Sequence, residues 1–217
     1  MGDQLVVIGG CAAGMSAASK ARRLNTELDI LVYERTGFVS YGECGMPYYI
    51  SGIVDDHTDL IARTPEQFAK REIDVHLHHE VVEIDAANNS VGIKDSKTGK
   101  IIQTHYDKLL ISTGGRATIL PNFSLGDLEG VFVLRTLEDG IAIREHIRRK
   151  APTHVVIIGA GYIGLEMAES FHAIGLETTV IGRPSQVLRR FDPDIAKCVE
   201  KELEEKGIQL SLGDEVQ

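Results

Sequence analysis

Two stretches of the chain repeat one pattern of apolar and polar positions. QLVVIGGCAAGMSAASKARR, starting at Gln4, and HVVIIGAGYIGLEMAESF, starting at His154, each open with a short aliphatic, β-branched run. Each then passes through a glycine turn and continues as a small-residue helix. An uninterrupted apolar run of this length predicts a strand buried on both faces, as in a parallel sheet. A second strand follows each helix, DILVYER in the first case and ETTVIGR in the second. The fold class predicted is therefore α/β, with two Rossmann-like units, each opening as β-α-β. Between them IDVHLHHEVVEIDAANNSVGIKDSKTGKIIQTHYDKLLISTGG alternates in polarity and carries turn clusters at AANNS and SKTGK. That pattern predicts a small antiparallel meander over about residues 73–106, returning to a buried strand, KLLIS.

LEDGIAIREHIRRK then reads as a helix, and Pro152 marks a junction. The organisation expected is a first domain over residues 1–150, meander included, and a second over 151–217. Asp192 and Pro193 form an N-cap and first helical position for the helix that follows, with one strand, IQLSLGDEVQ, after it. Neither unit has the full strand complement of such a sheet. The chain is expected to be the N-terminal portion of a longer protein.

Composition narrows the function. The 217 residues are 43% hydrophobic and 25% charged, with a net charge of −9. No basic block favours nucleic acid or anionic membrane, and no apolar run is long enough to span a bilayer. The sequence enters its first strand at once, so no export signal is expected. Three widely spaced cysteines form neither a disulfide framework nor a zinc pattern, which fits a reducing cytoplasm.

The candidate chemistry lies in the turns. GGCAAG, Gly9 to Gly14, keeps the first and third glycines of the dinucleotide fingerprint and replaces the middle one with Cys11. Gly9 allows the bend, Gly14 allows close packing, and the helix N-terminus offers N–H groups to phosphate. Glu34 ends the next strand, where a carboxylate can hold a ribose hydroxyl pair. GAGYIG, Gly159 to Gly164, is a complete fingerprint. Its following strand ends in Gly182 and Arg183, with Arg189 beyond, where an acid would repel a 2′-phosphate and arginines would hold it. This favours NADPH over NADH. VSYGECGMPYYISG places Cys44 at a predicted helix start with Pro47 in the first turn, a setting that favours a thiolate, although Glu43 opposes it. Cys11 is expected to pack in the first turn and Cys198 to face the core. His76 and His78 share one face of the predicted strand but have no third ligand, so no metal site is expected.

Two dinucleotide fingerprints, a meander between them and a cysteine after the first acid resemble the FAD-dependent pyridine nucleotide-disulfide oxidoreductases, over the whole chain. The resemblance implies FAD held through Gly9, Ala13, Gly14, Glu34 and Arg35, with Val81, Thr113 and Gly114 closing over it. It implies the nicotinamide cofactor on Gly159, Gly161, Tyr162, Ile163, Gly164 and Glu166, with Tyr162 shielding the flavin; Arg183 and Arg189 lie where a 2′-phosphate would be held. Two-cysteine members place a second cysteine where this chain has Tyr49. The chain is therefore similar to the single-cysteine branch, which comprises coenzyme A-disulfide reductases, polysulfide and persulfide reductases, and NADH oxidases. Ala12 stands where peroxidases and many oxidases of that branch carry histidine.

The function so implied passes hydride from NAD(P)H via FAD and Cys44 to a small disulfide, persulfide or polysulfide, such as coenzyme A disulfide. Lys20, Arg23 and Arg71 would hold the coenzyme A phosphates, and Ser40 and Glu43 would flank the thiol. A full-length homodimer is implied too. The alternatives are an oxygen-reducing NADH oxidase and a non-catalytic nucleotide-binding fragment.

Overall fold

A computed structural model describes residues 3–119 and 128–216. In chain order the elements begin β1 (Gln4–Ile8), α1 (Ala12–Leu24), β2 (Asp29–Glu34), α2 (Met46–Ile50), α3 (Pro65–Ala69) and β3 (Asp74–Leu77). There follow β4 (His79–Asp85), β5 (Ser90–Asp95), β6 (Ile101–His105), β7 (Lys108–Ile111) and α4 (Leu137–Lys150). The last are β8 (His154–Ile158), α5 (Tyr162–Ala173), β9 (Glu177–Gly182), α6 (Pro193–Glu205) and β10 (Gln209–Leu212). They form two compact units. The first contains Met1–Glu43, Asp56–Thr118 and Leu134–Glu138, and the second contains Cys44–Asp55, Ile119–Val133 and Asp139–Gln217.

The first unit is built on a parallel sheet in the order β3-β2-β1-β7. Successive side chains of a strand point to opposite faces. On one face Val7, Ile30 and Val32 pack with Met15 and Ala18 of α1 and with Phe68 and Ile73. On the other, Val6, Ile8 and Tyr33 pack against Val91 and Ile93 of β5. The antiparallel meander β4-β5-β6 thus covers the face that α1 leaves open. Phe68 is 1% exposed, and its truncation to alanine would remove about 3–5 kcal/mol.

The meander is shorter than the sequence pattern predicts. Residues 74–77 pair in parallel with β2 as a fourth strand of the first sheet, and the meander proper begins at His79. His78, with φ of 60°, turns the chain between the two, so His76 and His78 share no strand face. Both turn clusters form as expected. Asp85 accepts from the backbone of Ala87 and Asn88, and Asp95 from that of Lys97 and Thr98.

The second unit has a parallel sheet in the order β10-β9-β8. Its core joins Ala160 and Ala168 to Val180, Val187, Ala196, Leu203 and Ile208. Asp192 is the N-cap of α6 and Pro193 its first residue, as the sequence predicts, although the Asp192 side chain makes no capping hydrogen bond. Gln217, the end of the last predicted strand, lies outside the described residues. The units do not divide at residue 150: α4 beyond Glu138 and the segment Cys44–Asp55 belong to the second unit, where α2 lies against α5. For the segment Cys44–Asp55, the contact of α2 with α5, distant in sequence, ties it to the second unit.

Candidate dinucleotide and redox site

Parallel pairing brings the ends of three strands of the first unit together. Ile8 is in register with Tyr33 on one side and with Ile111 on the other, so the turns after β1, β2 and β7 share one edge of the sheet. Gly9 adopts φ of 106°, and a Cβ there would lie 2.4 Å from the Ser112 carbonyl oxygen. A Cβ on Gly14 would lie 1.9 Å from the Gly9 carbonyl oxygen. Only glycine lets strand, turn and helix approach this closely. The N-cap of α1, Cys11, makes no side-chain cap, and the first turn carries no acid. Its N–H groups are therefore open to an anion, with the exposed Ala13 beside them.

Glu34 is fixed at the same edge. Gly10 N–H donates to one carboxylate oxygen at 2.7 Å and Thr36 N–H to the other at 2.9 Å. Each oxygen keeps acceptor capacity for a ribose hydroxyl. Thr113 and Gly114 are exposed just after β7, and Arg35 is exposed after β2. Val81 is half-buried against the Val6–Tyr33 cluster, beside a bulge in β4. These residues fit a dinucleotide.

Arg135, which the sequence reading did not single out, approaches this edge. It donates to the Gly115 carbonyl at 3.2 Å and pairs with Glu43 at 2.9 Å. Its Nη2 lies 2.8 Å from where a Gly114 Cβ would stand. Glu43, expected to flank the thiol, is thus held by an arginine. Burial, then the Glu43 charge, pushes the Cys11 thiol up to about 11. Its sulfur donates to the Tyr41 carbonyl at 3.7 Å. Burial likewise raises the Tyr41 phenol well above its ordinary range. Cys11 is a packed thiol, as expected.

Cys44 is exposed, within the 3-10 turn Glu43–Gly45. The helix begins two residues later than Cys44 and is only five residues long, capped at Gly45. A dipole of one turn and a half contributes little, so the predicted helix-terminus activation of the sulfur is weaker than the sequence suggests. Cys198 is exposed, contrary to the expectation that it faces the core; Ala196 and Leu203 take the buried face of α6. His76 pairs with Asp74 at 3.0 Å and stacks on Tyr33 at 5.0 Å. Among the described residues no group of three or more side chains is arranged to hold a metal ion.

The second fingerprint repeats the first. Gly159 has φ of 121°, and a Gly164 Cβ would lie 1.9 Å from the Gly159 carbonyl oxygen. The N-cap Gly161 carries no side chain, and Tyr162, Ile163 and Glu166 are exposed on the first turns of α5. Tyr162 meets Phe191 edge-on at 5.8 Å. Gly182 is buried, and a Cβ there would lie 3.0 Å from that of Ala160, so packing resists any side chain, acidic or not. Arg183 and Arg189 are exposed, and Arg183 pairs loosely with Glu215 at 3.7 Å.

The substrate candidates divide. An open cavity of about 420 Å³ in the first unit is lined by Ser16, Ser19 and Arg23 of α1, Ser40 and Arg63. A second, of about 380 Å³, shares Arg63 and adds Gln67, Lys70 and Arg71. Arg23, Ser40 and Arg71 therefore surround neighbouring space. Lys20 is exposed on α1 and lines neither cavity. Arg63 was missed; its place just before the capping Thr64, in an irregular stretch, gave no periodicity to flag it.

A family model described as pyridine nucleotide-disulphide oxidoreductase matches residues 3–217. The chain belongs to this family. An NADH oxidase of Methanocaldococcus jannaschii is 39% identical over 209 residues, 95% of this chain and 46% of that protein. A coenzyme A disulfide reductase of Staphylococcus haemolyticus is 34% identical over 215 residues, 98% of this chain and 48% of that protein. The solved structure of an NAD-dependent persulfide reductase from A. fulgidus superposes with a TM-score of 0.90 at 36% identity, covering 97% of this chain and 40% of that one. The chain spans about half the length of the curated relatives it matches.

Proposed function

We propose that the chain is the cofactor-binding half of a flavoprotein that reduces small sulfur–sulfur bonds with NAD(P)H. The first unit binds FAD and the second the nicotinamide cofactor. FAD held by the Gly9–Gly14 turn and Glu34 would supply two-electron chemistry between NAD(P)H and the sulfur. Cys44, as thiolate, attacks one sulfur of a disulfide; that bond breaks, one thiol leaves, and a mixed disulfide forms on Cys44. Two electrons and a proton then return Cys44 and release the second thiol. For a polysulfide, the bond formed is a Cys44 persulfide. The protein's residues supply the rest: Glu34 orients the ribose, the uncapped N–H groups of α1 and α5 hold pyrophosphates, and Arg23, Arg63, Arg71 and Ser40 suit the phosphates of coenzyme A.

The carrying observation is the contrast between the cysteines. Cys44 is exposed in the turn that leads into α2, Cys11 is held as a thiol, Cys198 is also exposed but lies within α6, and the position of a second redox cysteine is filled by the buried Tyr49. One cysteine suffices when the substrate brings the other sulfur. Steady-state rates of the full-length protein with coenzyme A disulfide, polysulfide and oxygen test the reading: a sulfur substrate should be preferred. Oxygen as the best acceptor would favour the second reading, an NADH oxidase, which the Methanocaldococcus relative supports. A full-length protein that binds no flavin would leave the non-catalytic reading.

Among the described residues no helix is long and apolar enough to cross a membrane. The acidic charge and three free cysteines support a cytoplasmic location. The family resemblance supports a homodimer for the full-length protein.

A further inference from the structure

The segment Cys44–Asp55 has little regular structure of its own. It contains one 3-10 turn and one five-residue helix, and Gly52 at φ of 83° then turns the chain back. Its internal hydrogen bonds are local ones at the end of that helix: Ser51 N–H donates to the Pro47 carbonyl, Gly52 N–H to that of Tyr49 and Val54 N–H to that of Tyr48. One side chain of α4 ties the far end of the segment to a longer element. Arg144 donates from Nη1 to the Val54 carbonyl at 3.0 Å and to the Asp55 carbonyl at 2.8 Å. Its Nη2 lies 3.8 Å from the Asp55 carboxylate, and its guanidinium carbon sits 4.4 Å above the Tyr49 ring. The Arg144 side chain is 15% exposed, and Tyr49 is 6% exposed. A guanidinium withdrawn from water this far needs its donors satisfied, and here the irregular segment satisfies them.

We propose that Arg144 is a positioning residue for Cys44. Resting on the reading of Cys44 as the redox cysteine, the inference is that Arg144 sets the roll and the end point of the short helix that follows it. Tyr49 fixes the roll through its ring, and the Val54 and Asp55 carbonyls fix where the chain emerges. An α-helix turns about 100° per residue, so a slip of one position re-aims the 3-10 turn that leads into it, which carries Cys44. Tyr49 stands where a second redox cysteine would stand, so the pair also fills that place with a rigid contact.

The test uses the chain with Cys11→Ala and Cys198→Ser, which leaves Cys44 as its one thiol. Amide exchange across residues 44–55 and the alkylation rate of Cys44 by iodoacetamide are followed for Arg144→Met, Arg144→Lys, Tyr49→Phe and Tyr49→Leu. Arg144→Met should speed exchange in Met46–Asp55 by about tenfold or more and alkylation by about threefold, with β8 and β9 unchanged. Arg144→Lys should resemble Arg144→Met, because an ammonium cannot serve two carbonyls and a ring at once. Tyr49→Leu, which removes the ring, should lie between, and Tyr49→Phe, which keeps the ring, should depart less from the parent than Tyr49→Leu. In the full-length protein Arg144→Lys should lower kcat for disulfide reduction while flavin reduction by NAD(P)H keeps its rate. Full rescue by lysine, unchanged exchange in 44–55, or faster exchange spread evenly over the second unit would overturn the proposal. If Arg144→Met does not fold, Arg144→Lys and Tyr49→Leu decide. These readouts need no turnover, so failure of the reductase reading shows separately, as sulfur reduction that survives Cys44→Ser.

Discussion

The carboxylate of Glu43 lies 2.9 Å from the guanidinium of Arg135, so the acid that immediately precedes Cys44 is ion-paired with a partner ninety-two positions further on. Hydrogen bonding to Glu43 in turn raises the Arg135 pKa. The remaining charge of Glu43 is still felt by Cys11, where it adds to burial in holding the proton.

Glu43→Gln should therefore lower the pKa of Cys11 from about 11, but not to its ordinary value of 9.0, because burial is the larger cause. The pH profile of Cys11 alkylation, in chain carrying Cys44→Ser and Cys198→Ser, measures it. The same raised pKa has a stability consequence. Between 9.0 and about 11 the folded chain keeps a proton that the unfolded chain releases. This contribution is present below pH 9.0 and is lost as pH rises toward about 11. Cys11→Ala should show a shallower alkaline decline of Tm than the parent over that window. An equal decline would assign the loss to other groups, such as the Tyr33 and Tyr41 phenols, whose pKa values are also raised.

Cys44→Ser in the full-length protein should still allow NAD(P)H to bleach the flavin and should then fail to reduce coenzyme A disulfide or polysulfide. A serine hydroxyl keeps the size but cannot form a mixed disulfide. Cys198→Ser, exposed on α6, should keep turnover. Near-parental sulfur reduction by Cys44→Ser would refute the mechanism.

Glu34→Ala should weaken flavin retention, read as the yellow colour left after dialysis of the full-length protein. It removes the ribose acceptor and also the acceptor of the Gly10 and Thr36 N–H groups at 2.7 and 2.9 Å. Gly14→Ala should do so too, with an added loss of stability of about 1–3 kcal/mol from forcing a Cβ to 1.9 Å from the Gly9 oxygen. Retention of colour by both variants would place the flavin elsewhere.

Arg183→Ala should lower kcat/KM for NADPH roughly tenfold and change NADH little, since a charge-assisted phosphate contact is worth about 1.5–3 kcal/mol. Glu215→Gln should shift the preference further toward NADPH, because it frees Arg183 from its 3.7 Å partner. The effect should be small, as both side chains are well exposed to solvent. Equal losses with both coenzymes would show Arg183 to be structural.

The sequence by itself determined both β-α-β openings, the meander and the tight fingerprint glycines Gly9, Gly14, Gly159 and Gly164, with Gly161 the fifth glycine of the two motifs. These follow from local rules: apolar periodicity, turn chemistry, and the absence of room for a Cβ where strand and helix converge. It also isolated Cys44 and Glu34, whose meaning rests on place within those local patterns. Tertiary structure alone decided what depends on distant partners. Arg135 reaches Glu43, Arg63 joins Arg23 and Arg71 around adjoining cavities, and Arg144 holds the loop beyond Tyr49, in each case across a separation that carries no periodic signal. It likewise moved residues 74–77 into the parallel sheet, because the single positive φ at His78 breaks an alternation that reads as one strand. Cys198 faces outward because the apolar spacing Ala196, Val199 and Leu203 defines the buried face of α6 and Cys198 falls beside it. Local geometry is encoded residue by residue, whereas pairing between distant side chains depends on how the elements pack.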